Sequence, residues 1–245
     1  MDKNLTLNLV RVTEIAAIKT SYEYGKGDKN AADQAAVDGM RKTFDEIDMT
    51  GTVVIGEGEM DEAPMLYIGE KVGKCKDGSI EVDIAVDPVD GTELIAKGLD
   101  NSISVLAVGP KGSLLHAPDM YMEKLVSGPE GVGILNIDAP IEENVKNLAK
   151  ALNKDVQDIV VAILERERHE DIINRVRKTG AKVKLFKAGD IVNAINTCFS
   201  ESGTHMMAGI GGAPEGVIAA AAIKGLRGFF QARLKPANAD RKSVV

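Results

Sequence analysis

Cysteine is scarce in this sequence, and its scarcity limits the kinds of structure that the chain can form. The 245 residues include two cysteines, Cys75 and Cys198, which lie far apart. They form no CxxC pair and have no Cys/His ligand spacing, so the sequence indicates neither a disulfide framework nor a zinc site. We expect both residues to be buried free thiols in a cytosolic protein.

The chain also lacks an excess of positive charge. Its formal net charge is -7 and its isoelectric point is about 5.2. Nonspecific binding to nucleic acid needs a basic surface, so we expect no nucleic-acid partner. An anionic substrate would need metal ions or a local basic patch in order to bind.

Long apolar runs are missing as well. The N-terminal segment MDKNLTLNLVRVTEIAAI mixes charged and apolar residues and has no continuous apolar core or small-residue cleavage site of a signal peptide. No run reaches the length of a membrane span. With 44% hydrophobic and 27% charged residues, the composition is that of an ordinary globular protein. We therefore expect a cytoplasmic protein with no membrane partner.

Hydrophobic periodicity predicts the secondary structure of the first half of the chain. Residues 7–24 and 30–47 have apolar residues near helical spacing, and the glycine-containing segment GKGDKN joins them. Strands are predicted where runs of β-branched residues stop at turn-forming residues, at 51–59, 80–86 and 101–109.

The second half shows a different pattern. Residues 110–140 are rich in loop-forming residues, and strands and helices then alternate. This alternation predicts an α/β fold with an at least partly parallel sheet. A boundary near residue 130 would separate an N-terminal α/β domain, 1–130, from a C-terminal α/β domain, 131–245. The predicted elements after the loops are strands 159–164 and 181–186, helices 169–179 and from Asp190, the strand HMMAGIGG and the helix APEGVIAAAAIKGL.

Acidic side chains stand at the ends of three predicted strands. Glu57 and Glu59 follow one strand, Asp87 and Asp90 lie in the turn DPVDGT, and Glu215 lies in GIGGAPEG. Ligands of open α/β sheets bind beyond the carboxyl ends of strands, and clustered carboxylates need a cation such as Mg²⁺ or Mn²⁺ among them. A simpler explanation remains open for each segment: Asp and Pro form ordinary turns, glutamates are solvated, and an acid suits a helix N-terminus.

Other groups extend this hypothesis. Glycines in GIGGAPEG offer backbone amides that suit a phosphate oxygen. Thr92 follows a glycine at a predicted helix start, where its hydroxyl either caps the helix or orients a water molecule. Asp33, one turn into the second predicted helix, is a further acid, for which an exposed helix face is the simpler explanation.

Basic residues are grouped in one place. The segment LERERHED contains Arg166, Arg168 and His169 at the end of a predicted strand, and Lys187 ends the next strand. They could hold a phosphate that is not cleaved, because arginine offers a bidentate fork. Solvated ion pairs at a helix start explain the same residues equally well.

Five segments of the sequence stand in a fixed order: GKGDKNAADQAAVDGMR, VVIGEGEMDEAPMLYIGEKVG, DIAVDPVDGT, APDMYMEKL and GIGGAPEGV. In order and spacing they resemble the class II fructose-1,6-bisphosphatases of bacteria, which belong to the lithium-sensitive, metal-dependent sugar and inositol phosphatases. The resemblance runs from the first helix to about Leu234. It implies a layered αβαβα fold and hydrolysis of the 1-phosphate of fructose 1,6-bisphosphate to fructose 6-phosphate, a gluconeogenic step.

The resemblance also assigns roles to residues. Catalysis would involve Thr92, Glu57 and Asp90, with one ion lowering the pKa of a bound water and a second neutralising the leaving sugar oxygen. A homo-oligomer is implied too. The implied ligands of Mn²⁺ or Mg²⁺ are Asp33, Glu57, Asp87, Asp90 and Glu215, with the Val89 carbonyl as a further oxygen. The implied substrate contacts are Asp90, Gly91, Thr92, Tyr121, Arg166, Glu167, Arg168, Gly189, Asp190 and Gly212.

The sequence departs from the family pattern at several places. The segment KAGD stands where the family has an acidic D-G-D, so Ala188 removes one polar contact to the sugar. The segment RGFF, 227–230, replaces a loop of small residues. The C-terminal segment KPANADRKSVV does not resemble the family's continuation, so we expect a C-terminally shortened chain with an incomplete second domain.

Three alternatives for function follow. The first is fructose-1,6-bisphosphatase activity, with sedoheptulose 1,7-bisphosphate as a further substrate of some relatives. The second is the same chemistry on an inositol phosphate or another sugar phosphate, against which Arg166 and Arg168 argue because they suit a bisphosphate. The third is an inactive remnant that binds only metal or pairs with a full-length subunit.

Overall fold

The structure is a computed structural model that describes residues 3–58 and 65–235. The chain divides into two compact units between Pro118 and Asp119. This division falls earlier in the chain than the boundary expected near residue 130. No helix in the described ranges is long and apolar enough to cross a membrane.

The first unit contains a four-stranded mixed sheet with two long helices packed on it. The strand order is β2-β1-β3-β4, in which β1 and β3 are parallel and the two outer pairs are antiparallel. Its elements are α1 (Lys3–Ser21), α2 (Lys29–Phe44), β1 (Thr50–Ile55), β2 (Lys71–Val72), β3 (Glu81–Asp90), α3 (Thr92–Ala96) and β4 (Ile103–Pro110).

Alternating side chains of β3 form the floor of this core. Val82, Ile84 and Val86 point to the same face and pack with α1 and α2, from which Met40 and Phe44 are fully buried. Burying a side chain of this size stabilises the fold by about 1.5–3 kcal/mol. Both predicted helices and all three predicted strands of this unit are confirmed.

Strand β3 is longer than expected. We predicted that it would end at residue 86 and that DPVD would be a turn, but the strand continues to Asp90. Opposite β4, Asp87 pairs with Val105 and Asp90 with Ile103, so the register shifts between them. The extra residue is a β-bulge, which lets a strand carry a proline within an otherwise paired ladder.

The second unit contains a five-stranded mixed sheet. The strand order is β7-β6-β8-β5-β9, in which β6 runs parallel to β7 and β8, and β5 runs antiparallel to β8 and β9. The expected partly parallel pairing is thereby confirmed. The elements are β5 (Tyr121–Ser127), α4 (Ile141–Ala151), β6 (Val160–Leu164), α5 (Glu170–Lys178), β7 (Lys182–Phe186), α6 (Asp190–Asn196), β8 (Met206–Gly212), α7 (Ala213–Gly225) and β9 (Phe229–Lys235).

Helices cover both faces of the second sheet. Leu125 of β5 and Val161 of β6 pack in one cluster with side chains of α4 and α5. Their neighbours Val126 and Ala162 point to the opposite face and pack with α6 and α7. A sheet buried on both faces is typical of the α/β class, which was predicted and is confirmed.

Three elements of the second unit were not predicted. Strand β5 lies within the segment 110–140 that was expected to be loops, and both α4 and β9 were also missed. Strand β5 carries Glu123 and Lys124 in a short run, which hides the alternation of apolar residues that marks a strand. Because β5 pairs with β8 and β9, residues 121–127 belong to the second unit.

The expectation that both cysteines are buried is wrong for Cys75 and only partly met by Cys198. Cys75 is exposed, and Cys198 is half-buried. Cys75 has a positive φ of 49° and donates its backbone N–H to the Met49 carbonyl at 3.1 Å. Its place in a surface turn explains the exposure of its side chain.

The start of helix α2 gives the first testable prediction. Asp28 caps the helix, because its Oδ1 accepts the N–H groups of Asn30 and Ala31 at 3.0 Å. Asp28→Ala should lower the free energy of unfolding by about 1 kcal/mol, whereas Asp28→Asn, which keeps an acceptor, should lower it far less. Urea unfolding of both variants checks this, and equal losses would contradict the capping role.

Candidate active site

Two predicted metal ligands of the first unit meet in the structure. Asp33 lies one turn into α2, and Glu57 follows β1, where its backbone N–H donates to the Leu66 carbonyl at 3.0 Å. Their carboxyl groups are hydrogen-bonded. Burial, together with the charge of Asp33, raises the pKa of Glu57 to about 8, and burial also raises the pKa of Asp33. At neutral pH the pair therefore holds a proton between two acids that would otherwise repel each other.

The segment DPVDGT places further predicted residues at the end of β3. Asp87 is half-buried, and its Oδ1 accepts the N–H of Val89 at 3.1 Å, while Asp90 is 5% exposed. Gly91 follows with a φ of 91°, a left-handed conformation that glycine adopts without strain. Gly91 is the N-cap residue of α3, so Thr92 is the first helical residue and the N-cap alternative for its hydroxyl is wrong.

In the second unit, several predicted substrate contacts gather at the end of β8. Tyr121 of β5 pairs directly with Gly212 of β8. The Arg168 guanidinium lies 4.8 Å from the centre of the Tyr121 ring, a cation–π distance. Nε and Nη2 of Arg168 also donate to the Ile210 carbonyl, at 3.2 and 2.8 Å. Arg168 is thus held over the glycine-rich end of the strand.

Asp190 lies beside the same strand end, in a contact that the sequence analysis did not predict. Gly189 caps α6 in a left-handed conformation, and Asp190 is the first residue of that helix. Its Oδ2 lies 2.7 Å from Nζ of Lys124, and Lys124 is 2% exposed. Lys124 was part of a quoted motif, but no sequence signal distinguishes a buried lysine on a strand from an exposed one.

Glu215 lies in the first turn of α7, three residues after Gly212. Its Oε2 is buried and has no hydrogen-bond partner among the described residues. A buried acceptor without a partner costs free energy unless another group satisfies it. A cation is such a group, and this observation fits the predicted role of Glu215 as a metal ligand.

The remaining basic segment is partly engaged with the backbone. Arg166 donates to the carbonyls of Glu165 and Lys187 at 2.8 and 2.9 Å, so it connects the ends of β6 and β7. Glu167 is exposed on a short 3₁₀ helix, Glu167–His169. Lys187 is also exposed.

His169 does not have the role that its neighbours suggested. The sequence left open whether it helps to hold a phosphate, but it is 1% exposed, and both of its ring nitrogens are used inside the protein. Its Nδ1 lies 2.7 Å from the Leu164 carbonyl, and its Nε2 accepts the N–H of Ile210 at 2.7 Å. These contacts require the neutral ring with a proton on Nδ1, and burial lowers the pKa of His169 accordingly.

The structure therefore brings some predicted groups together and leaves others apart. Asp33 meets Glu57, and Tyr121, Arg168 and Gly212 surround one strand end. In residues 3–58 and 65–235, no three His, Cys, Asp or Glu side chains form a ready-made metal centre. Glu59 was one of the acids noted in the sequence, and it lies outside the described residues.

Comparison with known proteins decides which family these residues belong to. A family model described as bacterial fructose-1,6-bisphosphatase, glpX-encoded, matches residues 3–245. The chain belongs to this family. The match continues beyond Leu234, so the expectation that the likeness ends there is wrong.

Curated relatives from cyanobacteria support the same membership. A protein of Synechococcus sp. (strain JA-2-3B'a(2-13)) is 48% identical over 244 residues, which cover 96% of this chain and 70% of the relative. Proteins of Synechocystis sp. and Microcystis aeruginosa are 47% and 46% identical, each over 96% of this chain and 71% of the relative. All three are named D-fructose 1,6-bisphosphatase class 2/sedoheptulose 1,7-bisphosphatase.

The buried histidine gives a prediction about pH. Because the pKa of His169 is lower in the folded protein than its ordinary value of 6.5, the unfolded chain binds more protons near pH 6. The free energy of unfolding should therefore fall as the pH drops below about 6.5 and through the lowered pKa. His169→Gln should reduce this dependence in urea unfolding between pH 5 and 8.

His116, which is exposed, provides the matched control for this measurement. His116→Gln should leave the pH dependence as in the wild type. If the free energy of unfolding of His169→Gln changes with pH as it does in the wild type, the lowered pKa of His169 does not contribute to the pH dependence of stability.

Proposed function

We propose that this chain hydrolyses the 1-phosphate of fructose 1,6-bisphosphate and releases fructose 6-phosphate and phosphate. The observation that carries the proposal is the 48% identity over 244 residues to a protein named for this activity. Within each unit, the residues to which the resemblance assigns a role lie at strand ends, at helix starts or in adjoining loops.

The acidic residues fit a divalent cation. Asp33 and Glu57 share a proton at neutral pH, and a cation can take the place of that proton between two carboxylates. The buried Oε2 of Glu215 is a further oxygen that lacks a partner among the described residues. Ligand sets made of oxygen suit Mg²⁺ and Mn²⁺, which we propose as the cofactor.

The chain's own groups would then share the work of hydrolysis. In the first unit the ligands would be the carboxylates of Asp33, Glu57, Asp87 and Asp90 with the Val89 carbonyl, and in the second unit the ligand would be the carboxylate of Glu215. Divalent cations supply a water of lowered pKa and offset charge on the leaving oxygen when they are bound. Glu57 or a neighbouring carboxylate would accept the proton of that water. The Thr92 hydroxyl, at the first position of α3, would orient the water towards phosphorus.

Substrate recognition would use the groups around the end of β8. Two nitrogens of Arg168 already bind the Ile210 carbonyl, so Nη1 is the nitrogen that we assign to a phosphate oxygen. Tyr121 would hold the guanidinium in place from below. Backbone groups at Gly91, Gly189 and Gly212 can approach a ligand closely, because no side chain shields them.

Sedoheptulose 1,7-bisphosphate is a second candidate substrate, because the relatives' names include that activity. Both substrates carry a phosphate at each end, so the same anion-binding groups would serve both. Ala188 stands where the family has an acidic residue, and we expect it to weaken binding of the sugar. A cytoplasmic location and a homo-oligomer remain predictions.

A phosphate-release assay tests the proposed function. The purified chain should release phosphate from fructose 1,6-bisphosphate with Mn²⁺ or Mg²⁺ and should lose this activity with a chelator. Inositol monophosphate and fructose 6-phosphate should give little release. No release from any of these substrates by a sample that unfolds cooperatively would instead support the inactive remnant.

Asp87→Ala tests the metal-site assignment. It should reduce turnover below detection while leaving the thermal unfolding midpoint nearly unchanged, because the side chain is half-buried at a strand end and not part of an apolar core. Asp77→Ala, at an exposed turn, is the control and should keep wild-type turnover. Wild-type turnover by Asp87→Ala would remove Asp87 from the proposed ligand set.

A further inference from the structure

A buried ion pair lies beneath the turn that carries Glu215. Lys124 of β5 is 2% exposed and Asp190 is 9% exposed. Nζ of Lys124 lies 2.7 Å from Oδ2 of Asp190 and 2.9 Å from the Gly212 carbonyl. A lysine is rarely buried to this extent unless its ammonium group has a fixed set of partners. Here the partners are a carboxylate and one backbone oxygen.

These partners connect three elements. Lys124 belongs to β5, Asp190 begins α6, and Gly212 is the last residue of β8 and the N-cap residue of α7. The ammonium group therefore fixes the point at which β8 ends and α7 begins.

The glycines of this turn leave room for the pair. A Cβ atom on Gly211 would lie 1.8 Å from Oδ2 of Asp190 and 2.9 Å from Nζ of Lys124. A Cβ atom on Gly216 would lie 3.7 Å from Cδ of Lys124, so the lysine stem runs along the start of α7. The backbone of the turn thus rests directly on the ion pair.

Glu215 depends on the same turn. A Cβ atom on Gly212 would lie 1.9 Å from Oε2 of Glu215, so the carboxylate folds back over the residue whose carbonyl Lys124 holds. This Oε2 is the buried atom without a hydrogen-bond partner among the described residues. The Gly212 backbone, which Lys124 holds, and Oε2 of Glu215 are therefore in direct contact.

We propose that Lys124 is a positioning residue, which holds Gly212 and Asp190 so that Glu215 is presented to a divalent cation. This inference rests on the proposed function. Lys124 itself would touch neither cation nor substrate. Groups that orient metal ligands typically change metal affinity by about 10–100-fold when removed.

A double-mutant cycle on Mn²⁺ binding tests this proposal. Mn²⁺ affinity is measured by titration calorimetry without substrate for the wild type, Lys124→Met, Glu215→Gln and the double variant. Lys124→Met should weaken Mn²⁺ binding by about 10-fold when Glu215 is unchanged. It should have less than about a 2-fold effect when Glu215 is already Gln, because the residue acts through Glu215.

Two further variants distinguish a specific effect of Lys124 from a general loss of folding. Lys182→Met, at an exposed lysine of β7 in the same sheet, should bind Mn²⁺ as the wild type does. If Lys124→Met does not fold, Lys124→Met with Asp190→Asn takes its place in every arm, because it removes both charges together and leaves neither group buried alone.

The outcomes separate this inference from the proposed function. Equal weakening by Lys124→Met in both backgrounds would show a merely structural role, and wild-type affinity of Lys124→Met would show no role; either result overturns the proposal. If the wild type binds Mn²⁺ and hydrolyses fructose 1,6-bisphosphate in those cases, the proposed function stands. If the wild type does neither, the proposed function fails and the inference fails with it.

Discussion

Charge that is taken out of water must be neutralised close by, and this constraint shapes the candidate residues of both units. Asp33 and Glu57 lie close enough to hydrogen-bond, and a proton offsets their repulsion. Asp190 is offset by the ammonium group of Lys124. The two solutions have different consequences. A cation can displace a proton between two carboxylates, whereas a lysine built into a central strand stays where the fold holds it. The pair of Asp33 and Glu57 is therefore suited to binding a cation, and the pair of Asp190 and Lys124 is suited to supporting the backbone around it.

Support of this kind needs a rigid frame, which the second sheet provides. Strands β6, β8 and β5 are its inner strands, and helices cover both faces. Strands β6 and β8 pair only at Val161 with Met206 and Ala162 with Met207. Beyond that point the His169 ring connects the Leu164 carbonyl with the Ile210 N–H. The ring continues the connection between two strands that no longer pair directly, and it fixes the end of β8.

The sequence predicted most of the elements in which apolar residues recur with a clear period, although α4, whose buried Ile141, Val145 and Leu148 have helical spacing, was missed. It failed where charged residues have buried or central positions. Strand β5 contains Lys124, whose charge suggests a surface, so the strand was mistaken for loop. His169 was one of the residues that could have held a phosphate, but its ring is buried and both of its nitrogens make contacts within the protein. The five motifs located the candidate residues through family resemblance, but the contacts that support them depend on pairs such as Lys124 with Asp190, which lie 66 residues apart. No local pattern encodes such a pair.

The bulge in β3 explains why the segment DPVD carries two aspartates three residues apart. On a regular strand, residues three apart point to opposite faces. Val86 and Val89 are also three apart, yet both pack in the core with α1 and α2. The extra residue between Asp87 and Asp90 therefore reverses the alternation, and both aspartates point away from that core. Gly91 then turns the chain into α3, with Thr92 at its first position. A simple turn would need Asp and Pro for its shape alone, whereas the bulge places two carboxylates on one face of the strand, as the proposed ligand roles of Asp87 and Asp90 require.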